Sequence, residues 1–160
     1  MSIKVGDTLP EGTFTRMTDA GPAPVTTAEL FGGRKVVLFA VPGAFTPTCS
    51  KQHLPGYLHE HDAIKARGVD TIACMAVNDV FVLDEWAKAH GVGDRILMLA
   101  DGNGAYTKAL GLEFDLSGFG MGTRSRRFSM VVDDGVVKAL NVESDAGVSV
   151  SGAGATACQL

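Results

Sequence analysis

The chain has 160 residues, of which 46% are hydrophobic and 20% charged, and its formal net charge is −4. This length suits one domain over residues 1–160, and the hydrophobic fraction is large enough to build a packed core. The negative charge disfavours nucleic acids and anionic membrane surfaces as partners, and no apolar run approaches the length needed to cross a bilayer.

The elements of the N-terminal half follow from hydrophobic runs and turn residues. Residues 1–34 are rich in turn residues, with room for a short strand at "GTFTRM". "KVVLFAV" (residues 35–41) is a continuous apolar run rich in β-branched residues, which predicts a strand buried on both faces. The next helix is predicted to begin with Thr46 as its N-cap and Pro47 as its first residue, to bend at Pro55 and to end at Gly68.

The second half alternates in the same way. "VDTIACMAV" and "RILMLAD" read as strands, separated by a helix over about residues 80–90. "GAYTKALG" reads as a short helix, and "RFSMVVDDGVVKALNV" as a β-hairpin turned at Asp133–Gly135. This order predicts an α/β fold with a central mixed β-sheet flanked by helices. The pattern is compatible with a thioredoxin-like fold and does not by itself exclude a flavodoxin-like one.

The cysteine in "VPGAFTPTCSKQHLPG" occupies an unusual position. With Thr46 as N-cap, Cys49 lies in the first helical turn, where unpaired N–H groups and the helix dipole favour a thiolate. The site also follows the carboxyl end of a central strand, where open α/β sheets place their ligands. These features favour a nucleophile over a packing thiol. Cys49 and His53 could also form a metal pair, but no second Cys or His pair has zinc spacing, so we expect neither metal nor cofactor.

A cation near Cys49 would favour the thiolate further. Arg124, Arg126 and Arg127 lead directly into an apolar strand, so one of them could point toward the cysteine, although spacing does not say which. His53, four residues beyond Cys49, lies either beside the site or on the helix surface.

The same residues resemble a known family. "PGAFTPTC" matches the P-x-x-x-T-x-x-C signature of peroxiredoxins, and the longer strings "VNDVFVLDEWAKAH" and "RSRRFSMVVDDGVVKALNVE" are similar to the type II (5-like) members. The resemblance runs from "IKVGDTLP" to about Glu143. It implies a thioredoxin-like fold and a thiol-dependent peroxidase that reduces hydrogen peroxide and alkyl hydroperoxides.

The resemblance also implies roles for individual residues. Cys49 would be the peroxidatic cysteine and Arg127 the active-site arginine. Thr46 would hydrogen-bond the peroxide and the sulfur, and Pro42 would shield the pocket. A homodimer interface is expected next to the active-site loop, near Phe45.

The step that regenerates the thiol is less defined. Some type II members carry a resolving cysteine in the loop after the segment matching "NVE", but here that position falls near Val150. The "VSVSGAG" sequence is more similar to members that are reduced by glutathione or glutaredoxin, and thioredoxin is the other candidate reductant. Cys158 is either a resolving cysteine or an incidental residue of a final helix, and Cys74 is expected to be a buried, inert thiol.

Two other functions start from the same cysteine. The chain could be a peroxide-sensing interaction protein, or a thioredoxin-like disulfide oxidoreductase, although "TPTCSKQH" lacks C-x-x-C. The odd count of three cysteines and the absence of an apolar N-terminal signal segment predict a reducing, cytoplasmic location.

Overall fold

A seven-stranded mixed sheet organises the structure, a computed structural model that describes residues 2–145 and 147–160. The strands are β1 (Thr13–Thr18), β2 (Gly21–Thr26), β3 (Lys35–Val41), β4 (Thr71–Ala76), β5 (Leu97–Ala100), β6 (Glu113–Asp115), β7 (Thr123–Ser125), β8 (Phe128–Asp133) and β9 (Val136–Val142). The helices are α1 (Thr27–Phe31), α2 (Leu54–His59), α3 (His61–Lys65), α4 (Val80–Ala89), α5 (Ala105–Leu110) and α6 (Ala153–Ala157).

The sheet order is β2-β1-β5-β4-β3-β8-β9, and β6 and β7 form a separate two-stranded ribbon. β3 runs parallel to β4 and antiparallel to β8, with Phe39 opposite both Cys74 and Ser129. β3 is therefore hydrogen-bonded to a neighbouring strand on each side, and all of its residues after Lys35 are buried. The predicted mixed sheet flanked by helices is confirmed, and two apolar clusters pack on its opposite faces.

The N-terminal region is more regular than the sequence predicts. The strand at "GTFTRM" is present as β1, but "GPAPVT" forms a second strand and α1 follows it. β2 is one of the two edge strands of the sheet, and an edge position tolerates Pro22 and Pro24 because a missing N–H there need not break a ladder. The prolines and glycine of β2 resemble a turn in the sequence, and this segment forms a strand because it lies at the edge of the sheet.

The predicted long helix after β3 is broken into parts. A π-helical turn covers Cys49–His53, with the Leu54 N–H bonded to the Cys49 carbonyl five residues back, and α2 and α3 follow with a break at Glu60. Pro55 is the second residue of α2, and its missing N–H adjoins the widened turn. The helical stretch ends before Gly68, which takes a left-handed conformation (φ +85°) in the following turn.

Among the described residues, no helix is long and apolar enough to cross a membrane.

Candidate active site

Cys49 lies just beyond the carboxyl end of β3. The helical conformation begins at Pro47, and the Thr46 carbonyl accepts the Ser50 N–H at 2.9 Å. Cys49 is thus in the first turn, as the sequence predicts, and its side chain is fully buried. The widened π-helical turn that starts at Cys49 is a feature frequently found at functional sites.

The Thr46 hydroxyl does not cap the helix in the predicted way. Its Oγ1–H donates to the Gly43 carbonyl at 2.7 Å, whereas an N-cap side chain would accept from an N–H of the first turn. The Gly43–Thr46 turn brings these two groups together, and Phe45 within it has a φ of +64°. Thr46 therefore closes the loop before the helix and keeps its oxygen lone pairs for another donor.

Arg127 is the arginine that reaches the cysteine. It immediately precedes β8, whose Phe128 pairs with Ala40 near the end of β3. Its Nη2 donates to Cys49 Sγ at 3.1 Å, and only 4% of the residue is exposed. A guanidinium this close, and this well shielded from water, favours negative charge on the sulfur.

The two neighbouring arginines make other contacts. Arg126 is exposed, with its guanidinium carbon 5.7 Å from the centre of the Phe114 ring. Arg124 is half-buried, and its Nη1 donates to the carbonyl of Pro42 at 3.4 Å. Pro42 is buried at the end of β3, whereas Phe45 is 55% exposed in the following loop.

His53 is not a surface residue of the helix: it is buried against Arg127. Its Nδ1 lies 2.9 Å from Arg127 Nη1, and its Nε2 lies 3.0 Å from the Ser151 carbonyl oxygen. Burial lowers the pKa of His53 to about 4, helped by the positive charge of Arg127 and opposed by the Ser151 hydrogen bond. The ring is therefore neutral at neutral pH.

Three residues around this site escaped the sequence analysis. Glu143 is buried and accepts hydrogen bonds from Ser151, while the Tyr57 hydroxyl donates to the Ser151 carbonyl at 2.8 Å. The spacing of these residues does not predict the contact between Tyr57 and Ser151, because it joins the helix after β3 to a segment almost a hundred residues later. The alternation of serines in "VSVSGAG" is the only local signal.

All three cysteines are free thiols. Cys74 is buried in β4, and burial, with the adjacent Cys49 as a further cause, raises the pKa of its thiol well above the usual value. Cys158 is exposed and lies directly after α6.

The chain is similar to known proteins over most of its length. A family model described as Redoxin matches residues 4–156. Peroxiredoxin-2E-2, chloroplastic, from Oryza sativa subsp. japonica is 51% identical over 157 residues, which are 95% of this chain and 70% of that protein.

Two solved structures extend the comparison over the whole fold. Reduced Prx3 in complex with H2O2 from Vibrio vulnificus is 52% identical, with a TM-score of 0.94 over 98% of each chain. A Burkholderia cenocepacia structure, provisionally described as a thioredoxin reductase, is 42% identical, with a TM-score of 0.97 over 100% of this chain and 99% of that one.

A thioredoxin-like sheet with a buried cysteine just beyond the carboxyl end of a central strand defines a class of thiol-based redox proteins. The chain belongs to the Redoxin family, within it to the type II peroxiredoxins, and it is a thiol-dependent peroxidase. The sensor and disulfide oxidoreductase alternatives are not favoured.

Proposed function

We propose that Cys49 is the peroxidatic nucleophile and that Arg127, Thr46 and Pro42 form its pocket. The observation that carries the proposal is the 3.1 Å contact between Arg127 Nη2 and Cys49 Sγ, with both side chains buried. A thiolate is the reactive form of cysteine, and a positive guanidinium at this distance stabilises it.

The reaction with a peroxide follows from these positions. The Cys49 sulfur gives an electron pair to one peroxide oxygen while the O–O bond breaks, and the departing oxygen takes a proton to become water or an alcohol. Cys49 is left as a sulfenic acid. Arg127 stabilises the charge that builds on the departing oxygen, in a pocket where buried Pro42 limits water. Because Thr46 gives its own proton to Gly43, its oxygen is left to accept a hydrogen bond from the peroxide O–H.

We take hydrogen peroxide and alkyl hydroperoxides as the substrates. The related Vibrio vulnificus protein was solved with H2O2, which supports the smaller substrate. Full burial of Cys49 also favours a peroxide of few atoms. Comparing hydrogen peroxide with cumene hydroperoxide in the same assay ranks the two.

The test of the nucleophile uses two cysteine variants. Cys49→Ser should abolish peroxide consumption, and Cys74→Ser is the matched control with a second buried thiol. One equivalent of peroxide should add one oxygen to the mass of the Cys158→Ser protein but not to that of Cys49→Ser. Near-normal turnover by Cys49→Ser would rule out the proposal.

The sulfenic acid must then be reduced by a thiol. Two candidates are glutathione with glutaredoxin, and thioredoxin; measuring turnover with each at equal peroxide concentration identifies the reductant. Cys158 is the internal alternative, and its exposed position directly after α6 leaves it accessible to a thiol partner. A Cys49–Cys158 disulfide loses two hydrogens from the intact mass, whereas a glutathione adduct on Cys49 excludes a resolving role.

We further propose one domain over residues 1–160 that forms a homodimer in the cytoplasm through the loop around Phe45. The large exposed fraction of Phe45 beside the site supports this surface. Phe45→Glu should convert the dimer to a monomer in sedimentation velocity, with the exposed Val5→Glu as control. The neighbouring Gly6 N–H donates to the Val137 carbonyl beside the start of β3, whereas Phe45 follows the end of that strand. A wild-type protein that is monomeric at micromolar concentration contradicts the dimer.

A further inference from the structure

The chain beyond β9 folds back onto the site, and the carboxylate of Glu143 anchors its first turn. Glu143, 4% exposed, accepts four hydrogen bonds: from the N–H and the Oγ of Ser149, both at 2.8 Å, and from the N–H and the Oγ of Ser151, at 2.7 and 2.6 Å. This clamp fixes the backbone of Ser151. Its carbonyl therefore has a set position relative to the helix that carries Cys49.

The Ser151 carbonyl determines which nitrogen of His53 carries the proton. A carbonyl can only accept, so Nε2, at 3.0 Å, must donate to it. A guanidinium can only donate, so Nδ1 must accept from Arg127 Nη1 at 2.9 Å. These two requirements permit only the neutral ring protonated on Nε2. Either other form would place a hydrogen of Nδ1 against a hydrogen of Arg127.

The Arg127 guanidinium is thus held between two acceptors. Nη1 donates to His53 and Nη2 to the Cys49 sulfur, while Nε is buried without a hydrogen-bond partner among the described residues. The hydrogen bonds of the two terminal nitrogens define the plane in which the guanidinium lies. His53 is therefore the group that holds Arg127 toward the sulfur.

We propose that Glu143 and Ser151 are positioning residues for the peroxidase reaction: they fix the Nε2–H tautomer of His53, which orients Arg127 on Cys49. The inference rests on the proposed role of Cys49 as nucleophile. It makes the C-terminal segment part of the active site, acting on the sulfur through His53 and Arg127.

The tautomer can be tested without any measurement of activity. Long-range ¹H–¹⁵N spectra of histidine-labelled Cys49→Ser protein separate protonated from unprotonated ring nitrogens, and His53→Asn assigns the His53 signals among the four histidines. We expect one protonated Nε2 and one unprotonated Nδ1. In Glu143→Gln we expect mixed tautomers. A protonated Nδ1 in the parent protein overturns the inference and leaves the role of Cys49 untouched.

The kinetic test is a double-mutant cycle on the rate of Cys49 oxidation by hydrogen peroxide. Glu143→Gln should slow oxidation about tenfold, equivalent to about 1.4 kcal/mol of barrier. The exposed Glu11→Gln should leave the rate unchanged. His53→Asn keeps an acceptor near the position of Nδ1 and has no tautomers, so adding Glu143→Gln to it should slow oxidation less than twofold further.

Independent action of the two sites would appear as a full additional tenfold loss in the double variant, and that result overturns the inference. If Glu143→Gln does not fold, Ser149→Ala with Ser151→Ala removes two of the four hydrogen bonds and keeps the carboxylate. We expect a loss of about threefold, again suppressed by His53→Asn. An unchanged rate in both clamp variants also contradicts the proposal.

Discussion

Arg127→Gln isolates the contact on which the proposed reaction depends. The substitution removes the positive charge and the donor that lies 3.1 Å from Cys49 Sγ, inside a site where Arg127 is only 4% exposed. A hydrogen bond involving a charged group contributes about 1.5–3 kcal/mol. If that stabilisation extends to the transition state, the second-order rate constant for Cys49 oxidation should fall about 10- to 150-fold, at roughly tenfold for each 1.4 kcal/mol.

The neighbouring arginine provides a matched control. Arg126 directly precedes Arg127 in the segment before β8, but it is exposed and lies over the Phe114 ring. Arg126→Gln makes the same chemical change one residue away and should leave the rate within about twofold of the wild type, since exposed charges are screened by solvent.

The single tryptophan supplies the assay. Trp86 Nε1 donates to Ser50 Oγ at 3.0 Å, and Ser50 adjoins Cys49. Stopped-flow tryptophan fluorescence should therefore follow oxidation of the cysteine directly, without a reductant. If Arg127→Gln, folded as judged by its thermal unfolding midpoint, reacts as fast as Arg126→Gln, then the guanidinium does not assist the sulfur and the reasoning is wrong.

Three further predictions use other parts of the site. Thr46→Val should slow Cys49 oxidation about tenfold by removing the hydroxyl, while Thr46→Ser restores it; equal rates for Val and Ser would contradict the role of the oxygen. Burial raises the pKa of Glu143, but the hydrogen bonds from Ser151 and Ser149 outweigh burial and lower the pKa to about 2. The ionised Glu143 therefore stabilises the fold fully above the pKa of about 4.5 that it has in the unfolded chain, and this contribution is lost as the pH falls from about 4.5 toward 2. Glu143→Gln should flatten that part of the stability–pH curve in urea unfolding, and an unchanged slope would contradict the assignment. Cys74→Ala should lower the free energy of unfolding by about 1 kcal/mol with no change in the oxidation rate, because Cys74 contributes packing alone; a slower oxidation would show that it takes part in the chemistry.

Local rules predicted much of the framework. β3 is a run of apolar and β-branched residues that ends at a proline, and the structure gives it the predicted bounds of 35–41. Asp79 caps α4, and the hairpin turns through Asp134 and Gly135, both with positive φ. Each of these features depends on residues close together in the chain, so composition and spacing are sufficient to find it.

Where sequence rules failed, distant contacts outweighed local preference. Pro22 and Pro24 argue against a strand, yet pairing with β1 at the edge of the sheet makes one. Pro55 predicts a bend, but not the π-helical turn over Cys49–His53 that precedes it and whose first and last side chains are buried. The small ribbon of β6 and β7, which was not predicted, has only three residues in each strand.

By itself the sequence determined the family, the position of Cys49 in a first helical turn, and three arginines of which one could stabilise the Cys49 thiolate. Only the tertiary structure decided that Arg127, of these three arginines, donates to the sulfur, because the contact joins the residue before β8 to the helical turn after β3. Only the tertiary structure, too, joined His53 to Glu143 through Ser151. Hydrogen bonds between residues about a hundred positions apart leave no periodic signal in the chain, and they form only once the sheet has brought its ends together.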